Sequence, residues 1–195
     1  MPPKPKSLEY RALVGISKSL QAEYHRENNL WKDSPFAWIK LRPSRSVGAI
    51  GEAMVAAWMV MHGFGVQRSP DSQADRIIEG KRVEIKFSTL WKNGAYCFQQ
   101  IRDQNYDFMV MLGISPHDAH CWVIPKADLM KLRENGALTG QHTGHGAKET
   151  TWVQLRPDNT NPHFAPYGNG LDQTLKSISA LTGFKSKPLS SQFDS

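Results

Sequence analysis

Hydrophobic and polar positions along this chain switch between two periods, and the switches mark its elements. Leu8, Leu13, Ile16, Leu20 and Tyr24 recur at helical spacing, with Arg11, Lys18 and Arg26 among the polar positions, which predicts an amphipathic helix over Ser7–Leu30. Three prolines and two lysines in Met1–Lys6 predict a disordered lead. Trp31–Pro43 reads as an aromatic connector in which Pro35 and Pro43 limit any helix. From Val47 to Met61 every residue is small or apolar except Glu52. That run predicts a buried helix with Ser44 or Ser46 as its N-cap and an end at His62-Gly63, where glycine suits the C-terminal position.

Alternation takes over after the helix. Phe64–Arg68 is expected to be a strand, followed by a turn over Ser69–Ser72. Ala74–Ile78 and Arg82–Ser88 form a hairpin joined by Glu79-Gly80-Lys81. Trp91-Lys92-Asn93-Gly94 signals a further turn, after which Ala95–Phe98 is expected to pair with the preceding strand and Gln99–Tyr106 to form a short helix. Phe108–Ile114 and Cys121–Ile124 are continuous apolar runs, the mark of strands covered on both faces. Pro125 ends the sheet and Lys126–Asn135 forms a helix. Gly136–Gly170 is rich in glycine, histidine and asparagine and is read as loops with one strand, Thr151–Leu155. Leu171–Leu181 is a last helix and Phe184–Ser195 a loose tail. The fold class expected is α/β, a mixed central sheet flanked by helices. Residues 1–43 form a helix and connector, 44–135 a core, and 136–195 a loop-rich segment, within one compact domain.

Composition narrows the partners. Lysine and arginine number 24 against 18 aspartates and glutamates, a net charge of +6 with a pI near 9.4. A basic surface favours a polyanion, because binding releases the counterions condensed on phosphates. Cys97 and Cys121 lack the spacing of a zinc site and are expected as reduced thiols in a cytoplasmic protein. The longest apolar run, Ala53–Met61, is too short to cross a bilayer, and no secretory signal is expected.

The hairpin carries the candidate chemistry. Alternate side chains of a strand face opposite ways, so Val83, Ile85 and Phe87 belong to the core while Glu84, Lys86 and Ser88 face the other side. Asp75 lies beside them across the hairpin. Asp75, Glu84 and the Ile85 main-chain carbonyl offer the hard oxygen ligands magnesium prefers, and Lys86 could hold an attacking water or neutralise charge on a phosphate. A solvated strand face with an ordinary Glu–Lys pair is the plain alternative. Glu52, a lone carboxylate on an apolar helix, is either satisfied by Arg45, another arginine or the chain itself, or faces Asp75 and Glu84 and helps bind metal directly or through water.

Asp75, the triplet Glu84-Ile85-Lys86 and Glu52 on a preceding helix resemble the PD-(D/E)xK nucleases, which include many type II restriction endonucleases. Ala74 stands where the family usually has proline, and the likeness covers roughly Gly48–Pro125. It implies catalysis by Glu52, Asp75, Glu84 and Lys86, with magnesium (manganese substituting) as cofactor and double-stranded DNA as substrate. A restriction-type enzyme is the leading reading. A structure-specific or repair nuclease such as a Holliday-junction resolvase, or an inactive DNA-binding module of the same fold, stays open.

Arg42, Arg45, Lys81, Arg82 and Lys92 flank the site and are expected on phosphates. Ser88, Gln100, Arg102 and Tyr106 stand near the hairpin as further substrate contacts, and His142, His145 and Lys148 belong to the candidate recognition loop. Leu8, Leu13, Ile16, Leu20, Trp31, Phe36 and Trp38 offer apolar material for a homodimer interface or for covering the sheet.

Overall fold

The computed structural model describes residues 10, 13–18, 21, 30–141 and 150–189. Its centre is a six-stranded mixed sheet in the order β1-β2-β3-β5-β6-β9. The strands are β1 (Val66–Arg68), β2 (Arg76–Ile78), β3 (Lys81–Thr89), β5 (Phe108–Ile114), β6 (Ala119–Pro125) and β9 (Gly168–Asn169). Neighbours run antiparallel except β3 and β5, which are parallel over Val83–Thr89. The mixed sheet flanked by helices is the architecture expected.

The sheet is covered on both faces. Helices α3 (Ser44–Met61) and α5 (Leu171–Thr182) lie on one side. Val55, Met59 and Ile178 pack there against Val83, Ile85, Val110, Leu112, Cys121 and Val123. The other side takes α4 (Lys126–Glu134) and a second sheet of β4 (Tyr96–Ile101), β8 (Thr150–Leu155) and β7 (Thr139–Gln141), in the order β4-β8-β7. Tyr96, Phe98, Ile101, Leu129 and Val153 meet Met109, Met111, Trp122 and Ile124 there. Period two thus sorts β5 and β6 into two cores, and each buried aliphatic side chain contributes about 1.5–3 kcal/mol.

Several expectations change. Only Gly51, Val55 and Met59 of α3 are buried, while Val60 and Met61 are exposed, so the helix is one-sided rather than buried. Its N-terminus is set by Pro43, with no side-chain cap from Ser44 or Ser46, and it ends at His62-Gly63 as expected. No helix forms over Gln99–Tyr106, because Gln99–Ile101 complete β4. That strand pairs with β8 and not with β3, to which a buried bond from the Cys97 amide to Ser88 Oγ ties it.

The tail from Phe184 is docked as far as Lys187. Phe184 stacks on Phe64, and the Lys187 amide and carbonyl bond to His62. Short α2 (Ala37–Lys40) occupies the connector, with Trp31 and Ile39 buried. Residues 13–18 are helical (α1), and Leu13 and Ile16 are exposed rather than packed on the sheet. Met1–Lys6, Leu8, Leu20, Tyr24, His142, His145, Lys148 and residues 190–195 lie outside the described residues. Among those described, no helix is long and apolar enough to cross a membrane.

Candidate active site

The β2–β3 hairpin is built by a two-residue turn. Glu79 and Gly80 both have positive φ (48° and 76°), and Ile78 pairs with Lys81. This is the mirror-image turn whose twist matches the flanking strands. Pairing between β2 and β3 stops at Arg76 and Val83. The next main-chain bond runs from the Asp75 amide to Val83 O at 3.0 Å.

Beyond it the Asp75 side chain takes over. Its Oδ2 accepts the Ile85 amide at 2.7 Å. The carbonyl of a strand residue lies on the same edge as its N–H, so the Ile85 carbonyl also opens onto this edge, where β2 has ended.

Glu84 and Lys86 project from the opposite face to Val83 and Ile85, as the alternation requires. That face is not solvated. Glu84 is 5% exposed, and Lys86 Nζ stands 2.6 Å from its Oε1. Burial raises the Glu84 pKa above its ordinary value and the Asp75 charge adds to the rise, with Lys86 and Arg102 opposing both.

Glu52 approaches from α3. Gly51 makes this possible, because a Cβ there would lie 2.1 Å from Phe87 Cβ; without one, the helix rests directly on β3. Burial raises the Glu52 pKa, and the charges of Asp75 and Glu84 raise it further against Arg76 and Lys86. The helix, the hairpin and the Glu-x-Lys strand therefore bring Glu52, Asp75, Glu84 and Lys86 into one electrostatic cluster.

Arg76 is the residue sequence reasoning missed. Its Nη1 lies 3.4 Å from Glu52 Oε2 and donates to the Asp75 carbonyl at 2.7 Å. The partner of Glu52 is thus Arg76 and not Arg45, which is exposed on the first turn of α3. The signal lay in the sequence: Arg76 follows Asp75 directly and begins the short strand opposite Val83.

Around this centre, Arg102 is half-buried after β4, and its Nε is fully buried with no hydrogen-bond partner. Tyr106 belongs to the second core and gives its hydroxyl proton to the Arg102 carbonyl at 3.1 Å. Burial, with the nearby charges of Glu84 and Asp103, raises its phenol pKa.

The other expected contacts scatter. Ser88 is 4% exposed, and its hydroxyl joins β3 to β4 by accepting the Cys97 amide and donating to Thr89 O. It packs the two sheets together instead of facing the surface, as the hairpin pattern had implied. Arg82 is spent on Asp71 and the Asn105 carbonyl. Gln100 is exposed in a left-handed conformation (φ 55°) at the irregularity in β4. Lys81 and Lys92 are exposed, and so is Arg42, whose guanidinium lies 5.7 Å from the Trp38 ring centroid.

Among the described residues no group of three or more histidine, cysteine, aspartate or glutamate side chains is arranged to hold a metal ion. Two carboxylates and a main-chain carbonyl still suit magnesium, which usually takes one or two carboxylates and keeps several waters.

No protein-family model matches the chain, and no curated protein does. Among solved structures it is similar to the bacterial homing endonuclease I-Ssp6803I, with a TM-score of 0.45 and 17% identity over 73% of this chain and 99% of that one. A likeness at that level leaves the reading of the site to its own residues.

Proposed function

We propose that the protein is a magnesium-dependent endonuclease that hydrolyses phosphodiester bonds of double-stranded DNA, of the restriction type. One observation carries the reading: Asp75, Glu84 and Lys86 meet on a single hairpin, with Glu52 brought beside them by a helix that rests on the same strand. A structural Glu–Lys pair needs neither Asp75 at the end of β2 nor Glu52 on α3.

Asp75, Glu84 and the Ile85 carbonyl would hold the metal, with Glu52 acting through water because Arg76 already occupies one of its oxygens. Magnesium or manganese so held would acidify a bound water and draw charge from the phosphate. Lys86, ordered by Glu84, orients the attacking water and offsets charge on the phosphoryl oxygens. The raised Glu84 pKa reflects its burial first and the Asp75 charge beside it, and a bound cation would offset both. The positive charge of Arg102, which already acts on Glu84, would favour a phosphate held beside it. Phosphate contacts by Arg42, Arg45, Lys81 and Lys92 position the duplex.

A homodimer would supply two such sites for the two strands, as a symmetric oligomer suits a symmetric target. Leu13, Ile16 and Trp38 are exposed and would be available to such an interface, whereas Trp31 is buried and Phe36 packs on the chain's own core.

Plasmid DNA incubated with magnesium, manganese, calcium or excess chelator tests the function. Cutting in the first two, with binding but no cutting in calcium, is expected, since calcium's looser shell places the water poorly. Cutting in chelator would refute metal dependence.

A further inference from the structure

A second feature lies farther along β3. Where the strand ends, Lys40, Thr89, Trp91, Lys92 and Asn93 line a cavity of about 450 Å3. Trp91 is 45% exposed, yet its backbone is fixed by the turn it opens: its amide donates to Ala95 O at 2.9 Å, and the Gly94 amide donates to its carbonyl at 3.0 Å. Lys40 is set in place by the Leu90 carbonyl at 3.4 Å and by the Trp31 ring at 5.0 Å. Asn93 is held by the Ala95 amide and by Gln154. Arg156 approaches the same turn, its Nη1 lying 3.6 Å from where a Gly94 side chain would begin. Among the described residues no carboxylate lines the cavity.

An exposed indole on a rigid turn, two ammonium groups and a guanidinium make a stacking platform with phosphate anchors. We propose that this pocket takes an unstacked nucleobase of the DNA strand, with Trp91 stacking on the base and Lys40 and Lys92 holding the flanking phosphates. Base–aromatic stacking tolerates any sequence, because every base offers a π-face. The position fits a neighbouring nucleotide of a strand lying in the candidate active site. Thr89 is three residues beyond Lys86, roughly 10 Å along β3, and no strand covers that edge of β3 beyond Val83 among the described residues.

The ligand rests on the DNA reading above, but the pocket does not depend on cleavage. The full chain in chelator is titrated against two fluorescent duplexes that differ only in one unpaired 2-aminopurine. Wild type is expected to bind the duplex with the unpaired base about tenfold more tightly, the scale of one stacked base, and to quench its fluorescence. Trp91→Phe retains the preference and Trp91→Ala loses it. Lys92→Ala weakens binding to both duplexes and lowers the salt dependence by about one counterion.

Equal affinity of wild type for the two duplexes, or a preference surviving in Trp91→Ala, overturns the proposal. The same preparations with magnesium report cleavage separately. A preference without cleavage keeps the pocket and removes the nuclease; cleavage without a preference does the reverse.

Discussion

The Asp75 carboxylate accepts the Ile85 amide at 2.7 Å, just past the last paired position of β2 and β3, Arg76 with Val83. A residue proposed to hold metal is therefore also the clasp of the hairpin. Substitutions should separate these roles. Asp75→Asn keeps an oxygen for the amide and is expected to fold normally while losing cleavage. Asp75→Ala leaves the amide without this acceptor and should lose about 1–3 kcal/mol of stability as well. Thermal melts beside cleavage assays check the difference; equal melting of the two variants would count against the clasp.

Glu84 and Lys86 form a pair with little access to water, 7% and 18% exposed by side chain. Lys86→Met strands a buried carboxylate, at a cost on the order of 3 kcal/mol. The raised Glu84 pKa gives the sign of its pH dependence. Lowering the pH protonates Glu84 and removes the stranded charge, so the defect should shrink toward acid. Adding Glu84→Gln should restore most of the stability and none of the cleavage, which denaturant melts of the single and double variants would show.

Glu52 predicts a stability change of opposite direction. Its folded pKa is raised, so ionising it weighs against the fold; that penalty is full above the raised value and absent below the ordinary value of 4.5. Without metal, Glu52→Gln is expected to melt about 1–3 °C higher than wild type near neutral pH, with the gap closing toward pH 4.5. Arg76 keeps its bond to the Asp75 carbonyl in that variant. Cleavage should fall. A Glu52→Gln melt below wild type at neutral pH would show that the Arg76 pair outweighs the burial.

Gly51 links the fold to the site. A methyl group there meets Phe87, so Gly51→Ala must lift α3 from β3 or shift the ring, costing about 1–3 kcal/mol. Because Glu52 is the next residue, cleavage should fall with stability. Gly48→Ala, on the same helix with nothing within 4 Å, is the control: it should leave cleavage unchanged and raise stability by about 0.5–1 kcal/mol, the helix preference for alanine over glycine.

The hairpin, the paired central strands and the last two helices were legible because their patterns are local. Turn residues, period-two alternation and unbroken apolar runs need no partner to be recognised, although the turn expected over Glu79-Gly80-Lys81 is only Glu79-Gly80, with Lys81 already paired to Ile78. Gln99–Tyr106 was misread as a helix because its polarity hid a strand of another sheet, and nothing local says that Tyr96 will pair with Leu155. Ser88 looked solvent-facing because its parity matches Glu84 and Lys86, yet the second sheet covers that face. Arg76 was passed over since its partner, Glu52, is 24 residues away and meets it only once α3 has settled on β3.

The most direct test of the central claim places wild type, Asp75→Asn and the stability-restored Glu84→Gln/Lys86→Met variant side by side on supercoiled plasmid with magnesium. All three are first shown to be folded by circular dichroism. Wild type is expected to linearise the plasmid while both variants leave it supercoiled. Cutting by the double variant at the wild-type rate would contradict that claim, because the hairpin would then be a structural pair and the chemistry would lie elsewhere.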